Sequence, residues 1–230
     1  MTGRGVRVAI LDSGVHASHP HVRGVAGGIA FDENGCEHGD YIDRLGHGTA
    51  VTAAIKEKAP DAGLYAVKVF DRVLSTHVTN LIKAIDWAAS AGMHVANLSL
   101  GTANPEHEAL LRDAVDRAAV RGLVIVAARE EGGPKWWPGS LPNVVPVQLD
   151  WACPRDEYRV AVSEGVTVFR ASGIPRQVPG VPPEQNLNGV SFAVANMTGF
   201  VARVHQALGG ATRDAIVGAL ESGAPVTDWR

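Results

Sequence analysis

The stretch Val6-Arg-Val-Ala-Ile-Leu-Asp-Ser-Gly14 decides the fold class of this chain. Its first six residues are mostly apolar, which predicts a buried strand. The next three, Asp12-Ser13-Gly14, have the composition of a turn, so the strand ends on a carboxylate. Further apolar runs of strand length follow at residues 64–70, 94–100, 123–128 and 143–149. The sequence therefore predicts a sheet whose first strand carries Asp12 to one edge.

Helical patterns separate these predicted strands. Residues 78–89 place apolar side chains three and four positions apart, as one face of a helix does. A second helix is predicted to start at an Asn104 cap and to bury Leu110, and a last long helix is predicted to start near Ser191. Alternating strands and helices predict an α/β fold with a mostly parallel sheet covered on both faces. We expect residues 1–230 to form a single domain.

Composition and charge exclude several classes of protein. The chain has 230 residues, of which 46% are hydrophobic, and a net charge of −3, which gives no reason to expect a nucleic acid or an anionic membrane as partner. No apolar run is long enough to span a bilayer, and the amino terminus lacks the pattern of a secretory signal. We therefore expect a cytoplasmic protein, in which Cys36 and Cys153 are unpaired and buried.

Three residues have the types needed for nucleophilic catalysis. A serine hydroxyl is a weak nucleophile until a neighbouring base takes its proton, and histidine titrates in the right range. A buried carboxylate orients the imidazole and stabilises its protonated form. We assign Asp12 as the orienting acid, His47 as the general base and acid, and Ser191 as the nucleophile. The backbone N–H of Ser191, at a helix start, is then aimed at the developing oxyanion.

Each of these residues also has an ordinary structural explanation. Asp12-Ser13-Gly14 is a common way to end a strand. His47 is one of nine histidines and lies between two glycines, as a loop residue can. Ser191 can serve as a helix cap. The functional interpretation depends on the three motifs occurring together, each with glycine neighbours.

Several segments resemble those of the subtilases, the subtilisin-like serine proteases of peptidase family S8. The order Asp, His, Ser along the chain is the order found in subtilisin. The resemblance extends from residue 6 to residue 208, and its main segments are residues 6–20 around the aspartate, 43–49 around the histidine, 64–69, 97–101 and 188–193 around the serine.

The resemblance implies a fold, an activity and a substrate. The fold would be a three-layer α/β/α sandwich with a mostly parallel sheet. The activity would be peptide-bond hydrolysis through an acyl-enzyme, which requires no cofactor. The substrate would be a peptide or protein whose extended backbone pairs with Ser99, Leu100 and Gly101, the residues that would line its pockets.

The chain departs from the subtilase pattern at the oxyanion hole. Subtilases usually carry Ala-Ala-Gly-Asn-Glu-Gly after a hydrophobic strand, and the Asn donates a hydrogen bond to the oxyanion. Here Arg129 stands in place of the Gly and Glu130 in place of the Asn. An ionised carboxylate only accepts hydrogen bonds. A protonated Glu130 could still donate, or Arg129 could neutralise or replace it. Val190, before the serine, also lacks the hydroxyl of the usual Thr.

The same segment carries conflicting signals about substrate preference. In the resemblance, Glu131 and Gly132 match the rim of the pocket that holds the substrate residue before the scissile bond. An acidic residue at this rim favours a substrate with a basic side chain at that position. Arg129 beside it favours the opposite, or fills the pocket. Trp136 and Trp137 follow in a shortened loop. Two adjacent tryptophans more often serve packing than recognition, but one of them could face a peptide or a partner.

These departures leave two functional hypotheses. The first is a serine endopeptidase that acts on a dedicated peptide or protein. The second is a catalytically weak subtilase-like module that binds an extended peptide or a partner protein, or that needs a partner to activate it.

The residues between His47 and Ala59 omit the calcium-binding loop that many subtilisins insert there, so we expect no calcium at that place and no other metal. With a strand starting by Val6, we expect no propeptide.

Overall fold

The computed structural model describes residues 1–130, 133–182 and 185–223. Within them, nine strands form one sheet: β1 Arg7–Asp12, β2 Gly27–Phe31, β3 Glu37–His38, β4 Gly63–Lys68, β5 Val95–Leu98, β6 Val124–Ala128, β7 Val144–Leu149, β8 Tyr158–Ser163 and β9 Val166–Ala171. The α-helices are α1 His47–Lys58, α2 Val78–Ser90, α3 Glu108–Val120, α4 Val190–Ala207 and α5 Arg213–Glu221.

The sheet is mostly parallel, as the sequence predicts. Its strand order is β3-β2-β4-β1-β5-β6-β7-β9-β8. Only the two edge pairs, β2 with β3 and β8 with β9, are antiparallel. The central strand β1 pairs in parallel with β4 on one side and with β5 on the other. The first strand predicted from the sequence is therefore at the middle of the sheet.

Alternating side chains of the strands build two cores, one on each face of the sheet. In β1, Val8 and Ile10 belong to the core shared with α1, α4 and α5, whereas Ala9 and Leu11 belong to the core shared with α2 and α3. This period of two is what a strand buried on both faces requires. The layers are thus helix, sheet and helix, which confirms the three-layer α/β/α prediction.

Some elements differ from the sequence prediction. The strands β2, β3, β8 and β9 and the helix α5 were not predicted. Strands β8 and β9 form a hairpin whose two loop residues, Glu164 and Gly165, have φ values of 51° and 74°. Two positive φ values in a two-residue loop match the twist of a hairpin. Because β8 is an edge strand that leaves Val162 74% exposed, its apolar pattern does not resemble that of a buried strand.

Three local predictions also need correction. Asn104 caps a short 3₁₀ turn, Pro105–His107, by accepting from the N–H of Glu106 at 3.1 Å, and α3 begins only at Glu108. Leu110 is 49% exposed, because the buried face of α3 is formed by Leu111, Ala114, Val115 and Ala118, and Leu110 lies beside this face. Both cysteines are free thiols, but only Cys153 is buried and Cys36 is exposed.

A stacked histidine pair should make the stability of the fold sensitive to acid. The rings of His94 and His205 lie 4.9 Å apart at 24°, and His94 Nδ1 accepts from the Arg7 backbone N–H at 3.0 Å. Burial and the charge of Arg7 lower the pKa of His94, and burial and the charge of His94 lower the pKa of His205. Below about pH 6.5 the unfolded chain therefore binds more protons, so the free energy of unfolding should decrease as the pH falls.

The replacement His205→Phe tests this expectation because it keeps a ring for stacking but cannot bind a proton. Urea unfolding at pH 7.5, 6.5 and 5.5 should show a shallower loss of stability with acid than in the parent. His38→Phe, at an exposed position of β3, is the matched control and should keep the parent slope. An equal slope in His205→Phe and the parent would contradict the assignment.

Candidate active site

The sheet leaves a crevice at the point where the winding of the chain reverses. After β4 has paired with one side of β1, the chain crosses over and pairs with the other side as β5. Loops leaving the carboxyl ends of two such strands diverge, and ligand sites form between them. Asp12 ends β1 and Ser99 directly follows β5, so both lie at this crevice.

Asp12 and His47 form a close pair in the crevice. Asp12 is fully buried, and His47 is the first residue of α1. Asp12 Oδ1 and His47 Nδ1 are 2.7 Å apart. Gly48 permits this approach, because a Cβ there would overlap the carbonyl oxygen of Gly14 and lie 3.2 Å from Asp12 Oδ1. The structure thus brings the predicted acid and base within hydrogen-bond distance, and the glycine of the motif has a steric reason.

The neighbours of His47 favour its protonated form. Burial lowers the pKa of the imidazole, but the hydrogen bond to Asp12 and the charges of Asp12 and Asp43 act in the opposite direction and prevail. The pKa of His47 is therefore raised above its usual value of 6.5. Since Nδ1 faces Asp12, Nε2 is the nitrogen available for proton transfer. This is the electrostatic setting of a general base that must hold a proton during a reaction.

Asp43 fixes the segments that carry this pair, a role the sequence analysis did not assign. Its side chain accepts five hydrogen bonds, from the Ser13 hydroxyl at 2.8 Å, the Leu45 and Gly46 N–H groups at 2.9 Å, and the Thr49 N–H and hydroxyl at 2.8 and 2.6 Å. Ser13 Oγ in turn accepts from the Gly48 N–H at 2.9 Å. The carboxylate therefore ties the turn after β1 to the first turn of α1. Its sequence signal was its place at the start of the segment 43–49, which resembles the subtilase segment around the histidine.

Replacing Asp43 by Asn should destabilise the fold and displace His47. Burial raises the pKa of Asp43, but the hydrogen bonds outweigh burial and lower it, so the ionised carboxylate stabilises the fold at neutral pH and ceases to do so as the pH falls through the lowered pKa. The amide NH₂ of Asn would face several donors. We expect a loss of about 3 kcal/mol at pH 7, measured by urea unfolding. Asp113→Asn, exposed on α3, is the control, and equal stability of both variants would contradict this role.

Ser191 lies at the same edge, in the first turn of α4. Its Oγ donates to the backbone carbonyl of Ser99 at 3.4 Å, and Ser99 Oγ donates to the carbonyl of Ser191 at 3.3 Å. The next residue, Phe192, places its ring 5.8 Å from the His47 ring. In the part of the chain that the structure describes, the Ser191 hydroxyl is thus bonded to Ser99 and not to His47. Of the three predicted residues, only Asp12 and His47 are joined by a hydrogen bond in the described residues, and Ser191 lies at the same edge of the sheet through its bonds to Ser99.

The predicted peptide-binding residues Ser99, Leu100 and Gly101 follow β5 and are half-buried. A residue that the sequence analysis did not assign holds Ser99 in place: the side-chain amide of Asn97 donates to Ser99 Oγ at 2.9 Å. The hydroxyl of Thr198 on α4 donates to Asn97 Oδ1 at 3.0 Å. Asn97 is fully buried, and a lone amide inside the apolar run 94–100 was the signal that could have identified it.

The predicted oxyanion-hole segment follows β6. Arg129 is buried, and its guanidinium pairs with Glu164 of the β8–β9 hairpin at 2.7 Å. The ion pair with Glu164 compensates the burial of the Arg129 charge, and it directs the guanidinium towards the β8–β9 hairpin. Glu130 is exposed. Glu131, predicted at the rim of the substrate pocket, lies outside the described residues.

The described residues contain neither a cluster of metal-ligating side chains nor a helix that could span a membrane. No group of three or more His, Cys, Asp and Glu side chains in residues 1–130, 133–182 and 185–223 is arranged to hold a metal ion. None of the helices in these residues has the length and apolar character needed to cross a membrane. Helix α1 continues without interruption from His47 to Lys58, where the sequence lacks a calcium loop.

The fold and the buried Asp–His pair define a subtilisin-like α/β protein. Residues 3–147 match the model of the subtilase family of S8 peptidases. The chain belongs to this family. A crystal structure of a cold-adapted subtilisin-like serine proteinase has the same fold, with a TM-score of 0.75 over 99% of this chain and 86% of the other, at 23% identity.

Curated relatives are similar along most of the chain. Subtilisin Savinase from Lederbergia lenta is 34% identical over 227 residues, which is 90% of this chain and 78% of that protein. An alkaline protease from Alkalihalobacillus alcalophilus and M-protease from Shouchella clausii are also 34% identical over 90% of this chain, but over only 55% of their own length. The chain therefore spans about half the length of these two relatives.

Proposed function

We propose that this chain is a serine endopeptidase in which Asp12, His47 and Ser191 form the catalytic triad. The observation that carries the proposal is the 2.7 Å contact between buried Asp12 and His47, at the edge of the sheet where α4 begins one residue before Ser191. The serine protease names of the relatives support it. A turn of the Ser191 side chain away from Ser99 would be needed to bring its hydroxyl to His47, and such contacts often tighten only when substrate binds.

The proposed reaction has two stages. His47 Nε2 removes the proton of Ser191 Oγ as the oxygen attacks the peptide carbonyl, and His47 then gives that proton to the leaving amine. The acyl-enzyme that remains is hydrolysed by water, with His47 again acting as base and returning the proton to Ser191. Asp12 holds the imidazole through Nδ1 and stabilises its positive charge, in agreement with the raised pKa of His47.

The tetrahedral oxyanion needs hydrogen-bond donors. The backbone N–H of Ser191 at the N-terminus of α4 supplies one, reinforced by the positive end of the helix dipole. Glu130 occupies the position of the usual second donor and, when ionised, accepts hydrogen bonds only. Arg129, already paired with Glu164, is not directed at this position. We therefore propose an enzyme slowed by an incomplete oxyanion hole.

The substrate we propose is an extended peptide or a protein segment. Its backbone would pair with Ser99, Leu100 and Gly101, which continue β5 past the edge of the sheet. The short distance between the Ser99 carbonyl and Ser191 Oγ, 3.4 Å, would place a bound peptide bond directly beside the nucleophile.

Glu130 favours a second candidate function, a peptide-binding module with little turnover. Incubation of the full chain with a fluorogenic peptide library separates the two candidates. The enzyme proposal expects cleavage that disappears in Ser191→Ala and persists in the control Ser222→Ala, at the end of α5. Binding of the same peptides with no cleavage by the parent would favour the binding module.

A further inference from the structure

The side chain of Trp136 lies directly against Gly101. A Cβ built on Gly101 would overlap the indole Nε1 of Trp136 and would lie 2.5 Å from its Cδ1 and 2.6 Å from the carbonyl oxygen of Trp137. Position 101 can therefore hold only glycine while the indole is in place. Of the two adjacent tryptophans, Trp137 is buried in the core with α2 and α3, whereas Trp136 is only half-buried.

Hydrogen bonds hold this tryptophan segment in place on both sides. Trp137 and Thr102 exchange two backbone hydrogen bonds, of 2.8 and 2.9 Å. The Ser140 N–H donates to the Trp136 carbonyl at 2.9 Å. At Gly139 the segment meets β6 so closely that a Cβ there would overlap the carbonyl of Ala128. The indole of Trp136 is thus carried by a backbone wedged between the extension of β5 and the end of β6.

The indole lies where a substrate side chain would go. The carbonyl oxygen of Ser99 and the Oγ of Ser191 are 3.4 Å apart. A substrate residue whose backbone N–H donates to the Ser99 carbonyl therefore has its own carbonyl group beside Ser191 Oγ. Gly101 lies two residues further along, about 7 Å away in extended chain. A large side chain of the bound residue extends over that distance, and it would meet the Trp136 ring.

The geometry points to Trp136 as the residue that sets substrate size. We infer that its indole fills the space beside Gly101, so that the residue contributing the scissile carbonyl must be glycine, alanine or serine. The inference rests on the proposed function, because it locates the substrate relative to Ser191. It gives Trp136 a role in specificity, where the sequence pattern alone favours packing.

Peptides that differ only in the residue before the scissile bond test this inference. The parent should cleave after alanine with a kcat/KM at least about 100-fold higher than after phenylalanine, because the large ring has no room. Trp136→Ala should bring the two values within about 10-fold of each other by raising cleavage after phenylalanine. Trp151→Ala, which removes a 58% exposed tryptophan, is the matched control and should keep the parent preference.

A binding measurement keeps this test independent of catalysis. In the Ser191→Ala background, calorimetry should show tighter binding of the alanine peptide than of the phenylalanine peptide, and adding Trp136→Ala should abolish the difference. If no variant cleaves any peptide but this change in binding occurs, the proposed activity is wrong and the role of Trp136 stands. If the parent cleaves or binds both peptides equally, the role of Trp136 is wrong. Trp136→Val, which keeps part of the packing, should give an intermediate preference if Trp136→Ala unfolds.

Discussion

Replacing Asp12 by asparagine should lower kcat for peptide hydrolysis by about 10⁴ while leaving the fold intact. The carboxylate accepts from His47 Nδ1 at 2.7 Å, and it raises the pKa of the imidazole against the effect of burial. An amide of the same shape can present its NH₂ to Nδ1, which would then lose its proton and leave Nε2 protonated. His47 would hold the wrong tautomer and could not take the proton of Ser191.

Initial rates at saturating peptide, with urea unfolding as a check on folding, measure this effect. The matched control is Asp86→Asn, which also removes a carboxylate paired with a cation, Arg117. The Asp86 side chain lies on α2 and is 43% exposed, away from the proposed site. The control should keep the parent kcat. A folded Asp12→Asn variant within tenfold of the parent would show that this pair does not drive the reaction.

Replacing Glu130 by asparagine should raise kcat by about 10²–10³, because in subtilisin the loss of the corresponding donor costs that factor. The amide would direct an N–H at the oxyanion where the parent has a carboxylate. The exposed position of Glu130 means that the replacement disturbs little packing. A restored donor acts only in the transition state, so KM should change little.

Steady-state rates of the parent, Glu130→Asn and the control Glu37→Asn, exposed on β3, test this prediction. The gain should vanish when Ser191→Ala is added, which excludes a contaminating protease. If Glu130→Asn is no faster than the parent, the oxyanion is stabilised by another group and the account of the hole is wrong.

The sequence was most informative where function depends on local motifs. The strand ending at Asp12 and the helix predicted to start near Ser191 were both placed correctly to within about a residue. Glycines and apolar periodicity act over a few residues, so a short stretch contains the signal. The mostly parallel sheet followed from the alternation of these elements.

Features that depend on distant contacts could not be predicted in this way. The pairing of Arg129 with Glu164 requires the β8–β9 hairpin to meet the end of β6, 35 residues away in sequence. The five hydrogen bonds of Asp43 and the contact of Trp136 with Gly101 likewise arise only when separate segments meet. The edge strand β8 lacks the apolar sequence pattern of a buried strand, because only some of its side chains face the rest of the protein. In each case the deciding interaction is tertiary, and a single sequence carries no local trace of it.

Fluorophosphonate labelling of the full chain tests most directly whether Asp12 and His47 activate Ser191. This reagent reacts with a serine only when a base removes its proton and the site tolerates a tetrahedral phosphorus centre. Intact mass should show one adduct per chain, peptide mapping should place it on Ser191, and Ser191→Ala should remain unmodified. An unlabelled, folded parent chain, or an adduct that persists in Ser191→Ala, would contradict the central claim.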